Sequence, residues 1–324
     1  MRLSPRPAIW PPLLVLLVLL ILLTLAATFV FWSSGFDFDY VIPKRLARLA
    51  AIVTGGVCVA FSSILFQTIA GNRLLTPAVM GYEAVYLLLQ SLLILAVGTQ
   101  ALVVVSQINN FFLSIAFMLA YSWAIHRWLL RDGKNNVYFL LLLGLVLSMV
   151  IATFTQFVQL RISPGEFSIL QGYSYTSFNR AQPVQLLYSG LLVAGACLAG
   201  WKTLPVLDVL SLGREQAISL GVSYRRYVQC YLALIALLVA VSTSLLGPTA
   251  FMGIFVANIT YALAGSVRHR ITLPLGCAIA IAIFIAAQLL VEHVFNYKTT
   301  VSILVNLVCG AYFLALMVRK QGRA

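Results

Sequence analysis

Residues 11–32 read PPLLVLLVLLILLTLAATFVFW, an apolar run of 22 residues without a charged side chain. A helix of about 20 apolar residues crosses the ~30 Å hydrocarbon core of a bilayer. Helix is the required form here, because each backbone polar group must be satisfied within the segment. No clean small-residue cleavage site follows the run, which is also too long for the apolar region of a signal peptide. It therefore predicts an uncleaved transmembrane helix.

The rest of the chain has the same apolar character. It is 62% hydrophobic and 9% charged, whereas about a quarter of the residues in soluble domains are charged. No long polar linker divides it, so we predict an all-α, polytopic membrane protein with about ten transmembrane helices in a single domain, residues 1–324. The predicted spans are residues 11–32, 46–67, 78–97, 101–125, 137–160, 183–203, 227–246, 248–264, 272–292 and 300–318.

The basic residues are distributed unevenly between the predicted connections. An even number of spans places both termini on one side of the membrane, and that side then holds 15 of the 21 lysines and arginines. Connections rich in Lys and Arg stay in the cytoplasm. Both termini are therefore predicted to be cytoplasmic. This bias accounts for the net charge of +13, and we expect no nucleic-acid partner.

Cysteine and histidine residues give no sign of a metal or catalytic centre. The five cysteines all fall inside apolar runs, where a free cysteine behaves as a small hydrophobic residue. The three histidines are far apart in sequence and have no metal-ligand spacing. We therefore expect neither a metal site nor catalytic residues in this chain.

A polar segment, SLGREQAISLGVSYRRY at residues 211–227, interrupts this apolar pattern between the sixth and seventh predicted spans. It predicts a short cytoplasmic helix at about residues 208–221, with Asp208 or Ser211 as its N-cap and Gly221 just beyond its end. A helix of about two turns is unstable alone in water. It must dock either on its own bundle at the membrane surface or in the groove of a partner protein.

The frame L-G-x-E-x-A-x-x-L-G, present at Leu212–Gly221, resembles the coupling segment of FecCD-type permeases. Two further stretches, Arg45–Gly81 and Gly247–Pro274, are similar to other motifs of that family. This chain has Ala257-Asn258 where the family usually has Pro-His, and Asn72-Arg73-Leu74 where it usually has Asn-Pro-Leu. These departures resemble the subgroup for catecholate siderophores, in which two unlike permeases pair.

The resemblance implies the permease subunit of an ABC importer for iron–siderophore complexes in the bacterial inner membrane. The implied partners are two ATPase subunits, a periplasmic substrate-binding protein and a second permease, with a heterodimer favoured over a homodimer. The chain contains no phosphate-binding loop, so ATP and Mg²⁺ are expected on the partner ATPase. This chain is then not an enzyme and holds no cofactor. Haem or cobalamin import, and an ion-coupled secondary transporter, are the alternatives.

Three groups of site residues are expected, in part from the resemblance, which in the docking group concerns Arg48, and in part from the positions of the residues themselves. ATPase coupling is expected at Leu212, Gly213, Arg214, Glu215, Ala217, Leu220 and Gly221. Docking of the binding protein is expected at Arg45, Arg48 and Lys298. The translocation path or gate is expected at Gln67, Asn72, Pro77, Gly81, Glu83 and Asn258.

Glu83 is the one acidic residue that we place well within a predicted span. Ionised groups inside a membrane usually face a cavity or a partner. Glu83 therefore either lines the route or pairs with a cation of the second permease. Alternatively, it lies hydrated at the cytoplasmic interface.

Overall fold

The computed structural model describes residues 12–32, 37–98, 106–129, 137–249 and 251–321. Within these ranges the protein is built from thirteen α-helices and contains no β-strand, which confirms the all-α prediction. The helices are α1 (Pro12–Phe31), α2 (Val41–Ala70), α3 (Tyr82–Val97), α4 (Gln107–Leu129), α5 (Val137–Gln159), α6 (Pro164–Ser174), α7 (Pro183–Lys202), α8 (Leu204–Leu210), α9 (Arg214–Ser219), α10 (Tyr224–Leu246), α11 (Met252–Ala264), α12 (His269–Leu289) and α13 (Val301–Gln321). Some positions used in the predictions lie outside the described ranges. In the predicted spans these are residues 11, 101–105 and 250. Among the basic residues counted for the orientation they are Arg2, Arg6, Arg131, Lys134 and Arg323.

Ten apolar helices follow the order of the ten predicted spans. Six of them, α2, α4, α5, α7, α10 and α12, are long and apolar enough to cross a membrane. The other four, α1, α3, α11 and α13, are apolar but shorter over the part whose side chains are described. The remaining helices, α6, α8 and α9, lie in the connections. The protein is therefore a multi-pass membrane protein, as predicted.

The centre of the bundle is formed by α2 and α10. Of the 18 most apolar consecutive residues in each helix, 72% are buried in α2 and in α10, whereas 22% are buried in α5 and 28% in α7. Glycines allow the close approach of the central helices. A Cβ atom on Gly55 of α2 would lie 2.1 Å from Leu246 Cδ1 of α10. A Cβ atom on Gly56 would lie 2.9 Å from Ile281 Cγ1 of α12, so both contacts need glycine.

The two ends of the bundle are distinguished by the connecting helices. The α9 end contains α8 and α9, the last turn of α2 and the first turn of α12, which contact one another through Asp208, Thr68 and His269. The α6 end contains α6, the first turns of α2 and the end of α12. There, Arg45 of α2 contacts Glu292 just beyond α12. The described N-terminal half of α1 packs beside Arg270 at the α9 end. An even number of crossings then brings the described C-terminus to the same end.

Two of the apolar helices begin inside the bundle. After α2 ends at Gly71, the chain folds back through a 3-10 turn at Pro77–Met80, and α3 begins at Tyr82, which is fully buried. The second case is α11, which begins at Met252 after α10 ends at Gly247. Both breaks use a glycine with positive φ, which costs a residue without a side chain little strain.

Candidate functional site

The polar segment after α7 forms two short helices instead of the single helix predicted at about residues 208–221. They are α8, Leu204–Leu210, and α9, Arg214–Ser219. The expected N-cap was wrong. The capping position of α9 is Gly213, and no side chain caps the helix. Gly213 (φ +105°) and Gly221 (φ +80°) lie at the two ends of α9 in a conformation that favours glycine.

Helix α9 projects from the bundle and is held to it by one buried side chain. Ala217 is completely buried, whereas all the other residues from 211 to 221 are exposed. Three large apolar side chains are among the exposed ones, next to two charged residues. We call this set the α9 surface: Leu212, Arg214, Glu215, Ile218 and Leu220. Exposed apolar groups concentrated on so short a helix make this surface a candidate contact site.

A hydrogen-bonded chain connects the base of this segment to the centre of the bundle. The carboxylate of Asp208 on α8 accepts hydrogen bonds from His269 N (3.0 Å) and His269 Nδ1 (2.5 Å) at the start of α12. His269 Nε2 lies 2.8 Å from the hydroxyl of Thr68, near the end of α2. Leu204, Leu207 and Leu210 bury the inner face of α8.

Sequence reasoning missed this Asp208–His269–Thr68 chain. Asp208 was expected to cap a helix, and His269 was considered only as one of three histidines without metal-ligand spacing. Because these residues are 61 and 201 positions apart, no local spacing could have indicated the contact. The chain joins α8 to both α12 and α2.

At the α6 end, the structure changes the view of Arg45. Its side chain is buried, with Nη1 donating to the carbonyl oxygens of Phe29 (3.0 Å) and Trp32, and Nη2 lying 3.1 Å from Glu292 Oε1. The last carbonyl groups of a helix have no partner within it. Arg45 therefore caps the end of α1 and joins it to α12. It does not lie on the surface where we expected it to receive a binding protein.

Arg48 and Lys298 remain at the surface of this end. The Arg48 side chain is 26% exposed, and its Nη1 lies 3.8 Å from Glu292 Oε2 and 3.4 Å from the hydroxyl of Tyr297. Burial raises the pKa of Tyr297, which therefore stays neutral beside this ion pair. Lys298 is exposed. Glu292 was also missed, because it ends an apolar run and its partner Arg45 is 247 residues away.

A group of polar residues lies where α3 and α11 begin inside the bundle. Glu83 Oε1 accepts a hydrogen bond from Thr249 N (2.9 Å), just before α11. The two residues border a cavity of about 20 Å³, which is room for about one water molecule. We call this the inner polar site: Ser62, Ser63, Thr76, Glu83, Ser242 and Thr249.

The location of the inner polar site decides between the interpretations of Glu83. Ser62 precedes the end of α2 by eight residues, or roughly 12 Å of helix. Glu83 is therefore inside the bundle and not at the interface. Its carboxylate lies close to the start of α11, where the helix dipole favours a negative charge.

The other residues predicted for the path take different positions. Pro77 borders the same cavity. Gly81 packs closely, since a Cβ atom there would lie 2.7 Å from the hydroxyl oxygen of Tyr121. Asn258 Nδ2 donates to Ile254 O (2.9 Å) on its own helix.

Two further path candidates also stand apart from the cavity. Asn72 Oδ1 accepts from Leu74 N (2.9 Å), which fixes the turn after α2. Gln67 is buried, and neither atom of its amide has a partner among the described residues. Of the six predicted path residues, Pro77 and Glu83 are the two that border this cavity.

The model of the FecCD transport family matches residues 10–319 of this chain. The chain belongs to the FecCD transport family. This FecCD chain is 33% identical over 293 residues to the petrobactin import system permease protein YclO of Bacillus subtilis (strain 168), which covers 90% of this chain and 93% of the relative. It is 23% identical over 296 residues to the petrobactin import system permease protein YclN of the same organism, with 87% and 86% covered.

A solved structure has the same architecture as this FecCD chain. It is described as a metal-chelate type ABC transporter in an inward-facing conformation, and it superimposes with a TM-score of 0.83 at 19% identity. The match covers 95% of this chain and 99% of the other, which confirms the fold. Membership in a transport family also agrees with the prediction that the chain is not an enzyme.

Proposed function

We propose that this chain is the permease subunit of an ABC importer that moves a ferric siderophore across the bacterial inner membrane, driven by ATP hydrolysis on separate subunits. The observation that carries the proposal is the α9 surface. It exposes three large apolar side chains, and among the described residues of α9 Ala217 is the one that is buried against the bundle. A permease driven by an external ATPase needs such a projecting contact.

The proposed mechanism follows the contacts inward from α9. Closure of the ATPase dimer displaces α9, and α8 moves with it because only two residues separate α8 from Gly213. The Asp208–His269–Thr68 chain passes this movement to α12 and α2. Since α2 carries Ser62 and Ser63, the movement changes the inner polar site, where we expect the gate.

The orientation follows from the same assignment. The α9 end, with both described termini, is cytoplasmic, and the α6 end faces the periplasm. Arg48 and Lys298 are then available to acidic groups of a binding protein, whereas Arg45 serves the structure. Complementary charge of this kind mainly accelerates and orients docking.

The named substrate of the relatives favours a siderophore over haem or cobalamin. YclO and YclN of one organism are both described as petrobactin import permeases, and this chain is more similar to YclO. That pairing supports a heterodimer, in which a second, less similar permease completes the pathway. Family membership likewise favours an ATP-driven importer over an ion-coupled secondary transporter that would use Glu83.

The test is reconstitution in lipid vesicles with the second permease, the ATPase and the binding protein encoded beside this gene. We expect ATP hydrolysis to rise when the binding protein carries a ferric siderophore, with uptake of the iron complex. Haem and cobalamin serve as competing substrates in the same vesicles. Uptake driven by a proton gradient in vesicles that lack the ATPase would contradict the proposal.

A further inference from the structure

An open groove of about 510 Å³ lies between α4 and α10, away from the inner polar site and the α9 surface. One wall consists of residues on the last three turns of α4, and the other of residues at intervals of three or four on α10. Only 33% of the 18 most apolar consecutive residues of α4 are buried, so this side of the bundle faces outward over much of its length.

The groove changes from basic to apolar along its length. Arg127 and Arg225 lie at the α9 end, next to Gln229. Farther along, the groove is bordered by Leu119, Ala233 and Ala236, with Ser122 and His126 lining the wall between the two ends. From residue 225 to residue 236 the wall extends roughly 16 Å along α10. Positive charge at one end and apolar side chains at the other match the headgroup and the acyl chain of a phospholipid.

The position of Trp123 agrees with a membrane boundary at the mouth of the groove. Its side chain is 63% exposed, and the guanidinium of Arg127 lies 5.5 Å from the centre of its ring. Tryptophan is enriched where headgroups meet the hydrocarbon core. The stacking holds Arg127 at that level.

We propose that this groove binds one anionic phospholipid. Arg127 and Arg225 contact the phosphate of the headgroup, and one acyl chain lies against Leu119 and Ala233. Basic pockets between membrane helices recognise anionic headgroups in this way, because each arginine attracts the negative charge near the membrane surface. The site requires only that the protein is embedded in a bilayer, and so it does not depend on the transported substrate.

The test is native mass spectrometry of the full chain in detergent, incubated with phosphatidylglycerol or phosphatidylcholine. We expect one phosphatidylglycerol to stay bound under activation that removes phosphatidylcholine. Arg127→Gln should lower its occupancy roughly fivefold. Because Arg225 also takes part in another contact within the chain, Arg225→Gln should have the smaller effect. Arg226→Gln, at the exposed neighbour outside the groove, is the matched control and should leave occupancy unchanged.

A second pair of variants separates a lipid from a small anion. Ala233 is exposed in the groove, so Ala233→Leu fills the space for the acyl chain without crowding the core, whereas Cys230→Leu adds similar bulk at an exposed position that does not line the groove. We expect only Ala233→Leu to reduce lipid binding. Equal occupancy in all variants would overturn the proposal. Competition by inorganic phosphate that is insensitive to Ala233→Leu would assign the groove to a soluble anion. Crosslinking of Ala233→Cys to another subunit would assign it to a protein contact.

Discussion

Replacing Asp208 by asparagine removes the charge that holds α8 to α12 and keeps the size of the side chain. The carboxylate accepts two hydrogen bonds from His269, and a hydrogen bond to a charged group contributes about 1.5–3 kcal/mol. The asparagine oxygen can still accept a neutral hydrogen bond of about 1 kcal/mol. Because the Asp208 side chain is 37% exposed, we expect a loss near the lower limit, about 1–2 kcal/mol. Such a loss raises the fraction of molecules with α8 detached roughly tenfold.

The assay measures siderophore uptake and ATP hydrolysis in the same vesicles of the reconstituted complex. For Asp208→Asn we expect nearly normal ATP hydrolysis and several-fold less uptake per ATP, because α9 then moves without moving α12. His269→Gln should have a similar effect, and the double variant should add little to either single variant, as expected for residues in contact. Asp39→Asn, the same substitution at an exposed site of the α6 end, is the control. An unchanged ratio in Asp208→Asn, or fully additive effects, would refute the transmission through this chain.

Three further predictions concern the other sites. Glu215→Arg on the α9 surface should lower uptake per ATP roughly tenfold without lowering the melting temperature; normal uptake would remove this residue from the contact. Glu83→Gln should leave the protein folded, as judged by its elution and thermal unfolding, and change the rate of uptake; wild-type transport would exclude a role in gating. Arg45→Gln should cost about 2–3 kcal/mol of stability, because it leaves the partly buried Glu292 carboxylate without its close partner. By contrast, Arg48→Glu should weaken docking of the binding protein at low salt with little change in stability. An equal loss of stability in both variants would contradict the assignment of Arg45 to structure and of Arg48 to docking.

The helices could be predicted from the sequence because a bilayer imposes a length and a composition on whatever crosses it. The run at residues 46–67 corresponds to α2, which extends to Val41–Ala70. Residues 78–97 and 248–264 also correspond to helices, but their starts inside the bundle could not be foreseen. Hydropathy shows that a segment is apolar, but it does not show how far inside the bundle the helix begins. Packing against α2 and α10 determines that depth.

The contacts that carry the proposed mechanism could not be predicted in the same way. Glycines at both ends of α9 and its apolar residues were visible as a local pattern, so this segment was found. The contacts of Asp208 with His269 and of Arg45 with Glu292 join residues 61 and 247 positions apart. Each partner alone resembles an ordinary charged residue at the end of an apolar run. Only the folded arrangement distinguishes Arg45, which is buried, from Arg48, which remains partly exposed.

Helices α2 and α12 contact each other at both ends of the bundle. At the α9 end, Thr68 of α2 meets His269 of α12, and at the α6 end Arg45 of α2 meets Glu292 just beyond α12. With glycine-mediated packing between them, α2 and α12 are fixed along their whole length and should move as one body. The inner polar site joins that body to α3 and α11, and the backbone of α11 is held to α3 there by the hydrogen bond from Thr249 to Glu83. A small cavity beside a single hydrogen bond yields more readily than a contact fixed at both ends. We therefore expect relative movement within the bundle to occur at the inner polar site, with α2 and α12 transmitting the force that reaches them from α8.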